Sequence, residues 1–160
     1  MATIIPVKID RYFDVAASPE EMFELITNVR RSASHFPDIQ ELVQLDDYTW
    51  RWEMQPVSYA GVTMQPKYVL RYSWDADRLH MRWDPVRQDD HFVVAEGHWQ
   101  LRPRSNGPGT NAYFLLDMQF DLPVPQMIAG MAKQLLAAEL GKGVDQYVAA
   151  MTRTLGPVKA

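Results

Sequence analysis

The sequence predicts an α+β fold: one curved antiparallel sheet of about seven strands, two short helices after the first strand, and a long C-terminal helix. Three observations predict it. Apolar residues recur at every second position in seven segments, the period of a strand with one buried face. Short turn signals separate the later segments, which makes successive strands antiparallel neighbours. A final stretch from about Pro125 to Leu155 carries apolar residues at helical spacing and stops at Gly156-Pro157.

Residues 4–15 form the first strand, with Ile5, Val7, Ile9, Phe13 and Val15 on one face. Arg11 shares that face unless a bulge turns it outward and brings Tyr12 in. Ser18-Pro19-Glu20-Glu21 then starts a helix: Ser18 caps, Pro19 suits the first position, and Glu21 completes a capping box. Met22, Phe23, Ile26 and Val29 give that helix its apolar stripe. A second short helix covers Arg31–His35 and ends near Phe36-Pro37, because a residue before proline avoids helical geometry.

From there the period is two. Ile39–Leu45 is the weakest strand. Trp50, Trp52 and Met54 mark the next, and Tyr68, Leu70, Tyr72 and Trp74 the one after. Leu79, Met81 and Trp83 follow, then Val93, Ala95, Gly97, Trp99 and Leu101, then Ala112, Phe114, Leu116, Met118 and Phe120. Turns are expected at Asp46-Asp47, Ala60-Gly61, Asp75–Asp77, Asp89-Asp90 and Ser105–Gly109. On the last helix Met127, Ile128, Met131, Leu135, Val144, Tyr147, Val148 and Met151 form the apolar side, and Gly141 and Gly143 predict a local bend. With no internal repeat or linker, residues 1–160 read as a single domain.

Composition narrows the function. The absence of cysteine excludes disulfides, thiolate metal sites and cysteine nucleophiles. A net charge of −4 gives no support to a nucleic-acid partner. The N-terminus is a poor signal peptide, no apolar run approaches bilayer length, and the cytoplasm is the expected location. No metal site is expected from the four histidines: His80 and His98 fall on wet strand faces, His35 at a helix end and His91 in a turn beside Asp89-Asp90. No Gly-x-Ser-x-Gly elbow is present. Arg51, Arg71, Arg78, Arg82 and Arg102 alternate with Glu53, Glu96, Asp84 and Asp117 on the outer face, the pattern of a solvated sheet surface.

The dry face carries most of the functional signal. A strongly twisted sheet curls, and a straight helix cannot lie flush along it. Either side chains fill the gap or a cavity remains. The candidate lining residues are Arg11, Trp50, Trp52, Met54, Tyr68, Leu70, Tyr72, Trp74, Met81, Trp83, Trp99, Phe114, Leu116 and Met118 from the sheet. Met127, Met131 and Leu135 join them from the helix. A solid core is one reading of this set. A lined pocket is the other, since buried Trp and Tyr need partners for their polar tips and Met adapts to varied guests. A guest burying ten methylenes would gain about 8 kcal/mol, enough to offset several kcal/mol of association cost.

The element order resembles the helix-grip fold of the START-like superfamily, and more narrowly its polyketide cyclase and coenzyme-Q-binding branch. The residues that carry the resemblance are Phe13-Asp14-Val15-Ala16-Ala17-Ser18-Pro19-Glu20-Glu21-Met22-Phe23, His35-Phe36-Pro37-Asp38-Ile39, and Gly97-His98-Trp99-Gln100-Leu101-Arg102-Pro103 with Gly109-Thr110. The resemblance implies a carrier or binding module for a lipid-like, quinone-like or polyketide-like molecule. No cofactor and no transmembrane segment is expected. A cyclase or dehydratase, with Tyr68, Tyr72 or Tyr147 as positioned acid or base, is the second hypothesis. A protein-interaction domain is the third. The inward ionisable groups are limited to Arg11 and tyrosines, which favours binding.

Overall fold

The computed structural model describes residues 3–59, 62–88 and 91–158. The turns expected at Ala60-Gly61 and Asp89-Asp90 lie outside the described residues. Strand β1 (Thr3–Val15) is followed by helices α1 (Pro19–Thr27) and α2 (Val29–Ala33), then β2 (Ile39–Gln44) and β3 (Thr49–Met54). A small hairpin, β4 (Val57–Tyr59) and β5 (Val62–Met64), precedes β6 (Lys67–Asp75), β7 (His80–Val86), β8 (Val93–Pro103) and β9 (Thr110–Leu122). A 3-10 turn at Gln126–Ile128 leads into α3 (Ala129–Leu155).

Seven strands form one antiparallel sheet in the order β1-β9-β8-β7-β6-β3-β2. The first strand thus pairs with the last, in unbroken register from Thr3 opposite Leu122 to Val15 opposite Thr110. That closure brings α1 and α2, at the end of β1, over the same face that α3 crosses. This is the helix-grip architecture. The β4–β5 hairpin stands outside the sheet, and its three-residue strands are too short to show a period in the sequence.

Local signals act as read. The Ser18 hydroxyl accepts from the Glu21 amide at 3.2 Å, and the Glu21 carboxylate accepts from the Ser18 amide at 3.3 Å. α2 begins two residues earlier than expected because Asn28 caps it, accepting from the Arg31 amide at 3.2 Å. The far end of α3 is tied to the β1–α1 link: the Ala16 amide donates to Gly156 at 2.7 Å and the Ala17 amide to Leu155 at 3.0 Å. Gly156 sits at φ +90°, where a side chain would be strained.

The structure changes the reading of Arg11. There is no bulge in β1, and Tyr12 stays outward at 70% exposure. Arg11 keeps its inner-face position but turns to α3, where its Nε meets Asp145 Oδ1 at 2.7 Å. A half-exposed guanidinium finds a carboxylate on the helix rather than an apolar interior, which removes the need for both a bulge and a ligand anchor. Asp145 in turn holds its proton below the usual carboxylate range through that hydrogen bond.

Candidate functional site

A cavity of about 50 Å³ lies between the sheet, the two short helices and α3. Its floor comes from alternate positions of neighbouring strands, as the pleat requires. These are Trp52 on β3, Leu70 and Tyr72 on β6, Met81 and Trp83 on β7, Trp99 on β8, and Phe114 and Leu116 on β9. Ile26, Val29, Ser32 and Phe36 close one side from α1, α2 and the turn after them. α3 contributes Tyr147.

Aromatic rings dominate this wall and touch in series. Phe36 stacks on Tyr147 with centroids 3.8 Å apart and meets Trp52 edge-on at 5.7 Å. Trp99 meets Phe114 at 4.8 Å and Tyr147 at 6.0 Å, while Trp83 lies between Tyr72 and Phe114 at 6.1 and 5.7 Å. Gly97 makes room for Trp83. A Cβ there would stand 2.6 Å from Trp83 Cζ2 and would run into the Leu115 carbonyl oxygen. The Gly-x-Trp spacing therefore places one indole against a bare backbone and carries the other, Trp99, on the next inward position.

Among the described residues, no charged side chain lines the cavity. The polar side-chain atoms of the lining residues are hydroxyls and indole nitrogens. Tyr147 and Ser32 share a hydrogen bond of 2.6 Å, and Trp52 Nε1 donates to the Tyr72 hydroxyl at 3.1 Å. Trp83 Nε1 is buried with no hydrogen-bond partner among the described residues. Burial pushes the hydroxyls of Tyr72 and Tyr147 well above the ordinary tyrosine range, so both are neutral at physiological pH.

Eight of the residues expected to line a pocket stand on this wall: Trp52, Leu70, Tyr72, Met81, Trp83, Trp99, Phe114 and Leu116. Trp50, Tyr68 and Met118 are buried in the core away from it, and Met54 is half-buried. Trp50 packs under the Arg30 guanidinium at 5.1 Å, and Tyr68 stacks behind Trp52 at 6.1 Å.

Four expectations are corrected. Trp74 is 41% exposed near the end of β6, against Tyr48 at 5.6 Å. Met127, Met131 and Leu135 are 88%, 60% and 46% exposed. The stripe of α3 that meets the sheet runs through Ala132, Leu136, Leu140, Val144, Tyr147 and Met151 instead. Each exposed residue precedes a member of the inward row, or Ile128, by one position, about 100° around the helix.

Ile26, Val29, Ser32 and Phe36 were not foreseen as wall residues. The apolar stripe of α1 and the Phe36-Pro37 step carried their signal, but only as helix packing. His35 serves structure: its Nε2 lies 2.8 Å from Thr154 Oγ1, joining α2 to the end of α3. On the outer face His80 and His98 lie 5.3 Å apart beside Arg82 and Glu96. Among the described residues no group of three or more His, Asp or Glu could hold a metal ion.

Comparison with known proteins agrees with the geometry. No curated protein sequence matches the chain. Among solved structures, a START superfamily protein from Mycobacterium smegmatis superposes with a TM-score of 0.67 at 20% identity, over 93% of this chain and 99% of that one. The Zhui aromatase/cyclase from Streptomyces sp. R1128 gives 0.66 at 16% identity, over 96% and 99%. TTHA0849 from Thermus thermophilus gives 0.65 at 17%, over 94% and 96%. At these identities the likeness is one of fold. The model of one family, described as polyketide cyclase / dehydrase and lipid transport, matches residues 15–144. With that match over most of its length and a helix grip around an aromatic cavity, the chain belongs to this family of the START-like superfamily.

Proposed function

We propose that the protein binds and carries a hydrophobic small molecule in the cavity between sheet and helices. Fold and family support a hydrophobic-ligand role. The observation that carries the reading is the wall itself. Seven aromatic side chains, Phe36, Trp52, Tyr72, Trp83, Trp99, Phe114 and Tyr147, surround a cavity with no charge on it. Such a wall attracts apolar surface at about 25 cal/mol per Å² removed from water.

The size of the cavity sets a condition. About 50 Å³ is well short of the roughly 150 Å³ of a cavity that takes up benzene. A ligand therefore enters by moving the wall. Met81 is the adaptable side chain in it.

Uptake of N-phenyl-1-naphthylamine, an uncharged fluorophore, tests the reading. The unaltered protein should raise its emission, and Trp52→Ala or Trp99→Ala should change the affinity. Unchanged uptake by a folded variant contradicts the assignment.

Cyclase or dehydratase chemistry is the second reading, favoured by the two neutral tyrosine hydroxyls on the wall. Because burial holds their protons in place, Tyr72 and Tyr147 can donate to a substrate oxygen but cannot serve as bases at neutral pH.

A further inference from the structure

The ladder between β7 and β8 is the shortest of the seven-stranded sheet among the described residues. It has four rungs: His80–Gln100, Met81–Trp99, Arg82–His98 and Trp83–Gly97. β1 and β9, by contrast, pair along thirteen. Both strands continue past the Trp83–Gly97 rung, β7 against β6 and β8 against β9, but no longer against each other. The sequence explains the stop. In the same register the next rung would oppose Asp84 and Glu96, two like charges. The one after would set Pro85, which has no N–H, against Ala95.

These four rungs carry different chemistry on their two faces. Inward they place Met81, Trp83 and Trp99 on the cavity wall. Outward they place His80, Arg82 and His98 in a groove shared with Glu96, Leu115 and Asp117. The two imidazoles are 5.3 Å apart, and His98 stands directly opposite Arg82. The carboxylates around them have other cations or donors. Asp84 holds Arg82 at 2.7 Å and faces Arg71, while Asp75, opposite His80, holds Arg78 at 3.7 Å. Asp10 accepts from the Tyr113 hydroxyl at 3.0 Å, Asp117 stands opposite Lys8, and Glu96 acts on Arg82. Burial first, then His80, Arg82 and Lys8, hold His98 below the ordinary histidine value of 6.5. A proton on His98 is therefore unfavourable while the ladder is closed.

We propose that the β7–β8 ladder is an acid-sensitive joint: positive charge on the His80–His98 pair loosens the rungs that hold Met81, Trp83 and Trp99 on the cavity wall, and a guest enters and leaves faster. Protons bind more readily once the rungs part. Closure therefore weakens as pH falls through 6.5, and the loss is complete below the lowered value of His98. Opening serves entry and exit alike, so both rates rise and the affinity stays the same. The effect on a guest rests on the reading of the cavity as the ligand site; the joint itself does not.

Amide hydrogen exchange of the full chain, followed by NMR at about pH 7.5 and pH 5 and corrected for intrinsic rates, tests the joint. Like charges across a ladder are worth about two- to fivefold. Protection of residues 80–83 and 97–100 should fall by that factor at the lower pH, while the β1–β9 ladder holds. His98→Gln and His80→Gln should each abolish the fall. An equal change in both ladders overturns the proposal, and so does a fall that survives His98→Gln. If neither variant folds, the comparison of ladders in the unaltered protein decides. Stopped-flow mixing with N-phenyl-1-naphthylamine reads the consequence for the wall: both rate constants should rise at the lower pH with their ratio unchanged. Rates that stay flat while the ladder loosens overturn the link to the wall. If the fluorophore binds at neither pH, the cavity reading falls and the exchange result alone decides the joint.

Discussion

Residues 144–155 of α3 bury Val144, Tyr147 and Met151, and their end is tied to the β1–α1 link by two backbone hydrogen bonds and to α2 through His35 and Thr154. Residues 129–140 of the same helix fully bury only Ala132 and leave Met131 and Leu135 in solvent. No side chain from 129 to 142 makes a hydrogen bond or ion pair among the described residues, whereas Asp145, just beyond, holds Arg11. Between the halves lie Gly141 and Gly143. A Cβ at Gly141 would find only ordinary contacts, the nearest being Arg11 Nη2 at 3.5 Å, and one at Gly143 would meet nothing within 4 Å. Neither glycine is needed for close packing, yet each weakens the helix there. The difference separates two tasks on one element. The second half holds the fold together and supplies the cavity's Tyr147, and the first half, which gives no residue to the cavity wall, is held more loosely.

The largest test of this division is a pair of truncations. Tyr147→Ala should cost about 3–5 kcal/mol in urea unfolding, as expected for a large buried aromatic. Leu135→Ala should cost under about 0.5 kcal/mol, the range of an exposed position. Similar losses at the two sites would erase the distinction between the halves. Next, Gly141→Ala and Gly143→Ala should each stabilise the protein by about 0.5–1 kcal/mol. In stopped-flow mixing both should also slow fluorophore uptake if entry needs the helix to bend there, and a stabilised variant with unaltered uptake would show that it does not.

Asp145→Asn has a smaller effect, under about 1 kcal/mol, because both partners of the ion pair are well exposed. Its sign with pH is fixed. The folded-state carboxyl is lowered from 3.8, so the advantage over Asn is present above that value and disappears as pH falls through the lowered one. Parallel stability curves of the two proteins over that range would contradict the pairing. The smallest expected effect is none at all. The wall's titratable groups are tyrosines raised above 10, so the affinity of an uncharged ligand should be flat from about pH 6 to pH 9. An inflection in that window would point to a charged group at the site.

What could be read in advance follows from which signals are unique. Alternation along the seven sheet strands has one interpretation, and the Ser18 capping box has one geometry, so the sheet and the start of α1 were legible. The phase of α3 was not. Met127, Met131 and Leu135 make one apolar row and Ala132, Leu136 and Leu140 another beside it, and hydrophobicity does not choose between them. Tertiary packing set the phase. Arg11 was ambiguous for a related reason, since its partner Asp145 lies 134 positions away and no local pattern joins them. The sheet half of the cavity wall was readable from the strands, whereas Ser32 and Phe36 reach it only through the closure of β1 onto β9.

Carbon-13 methyl labelling of the nine methionines tests the central claim most directly. Met81 stands on the cavity wall, while Met127 and Met131 are exposed around the start of α3. On addition of toluene the Met81 methyl signal should shift and saturate, with Met127 and Met131 showing much smaller changes. Saturable shifts at Met127 and Met131 with Met81 unmoved would put the apolar guest on the outer surface of α3 and contradict an interior ligand site.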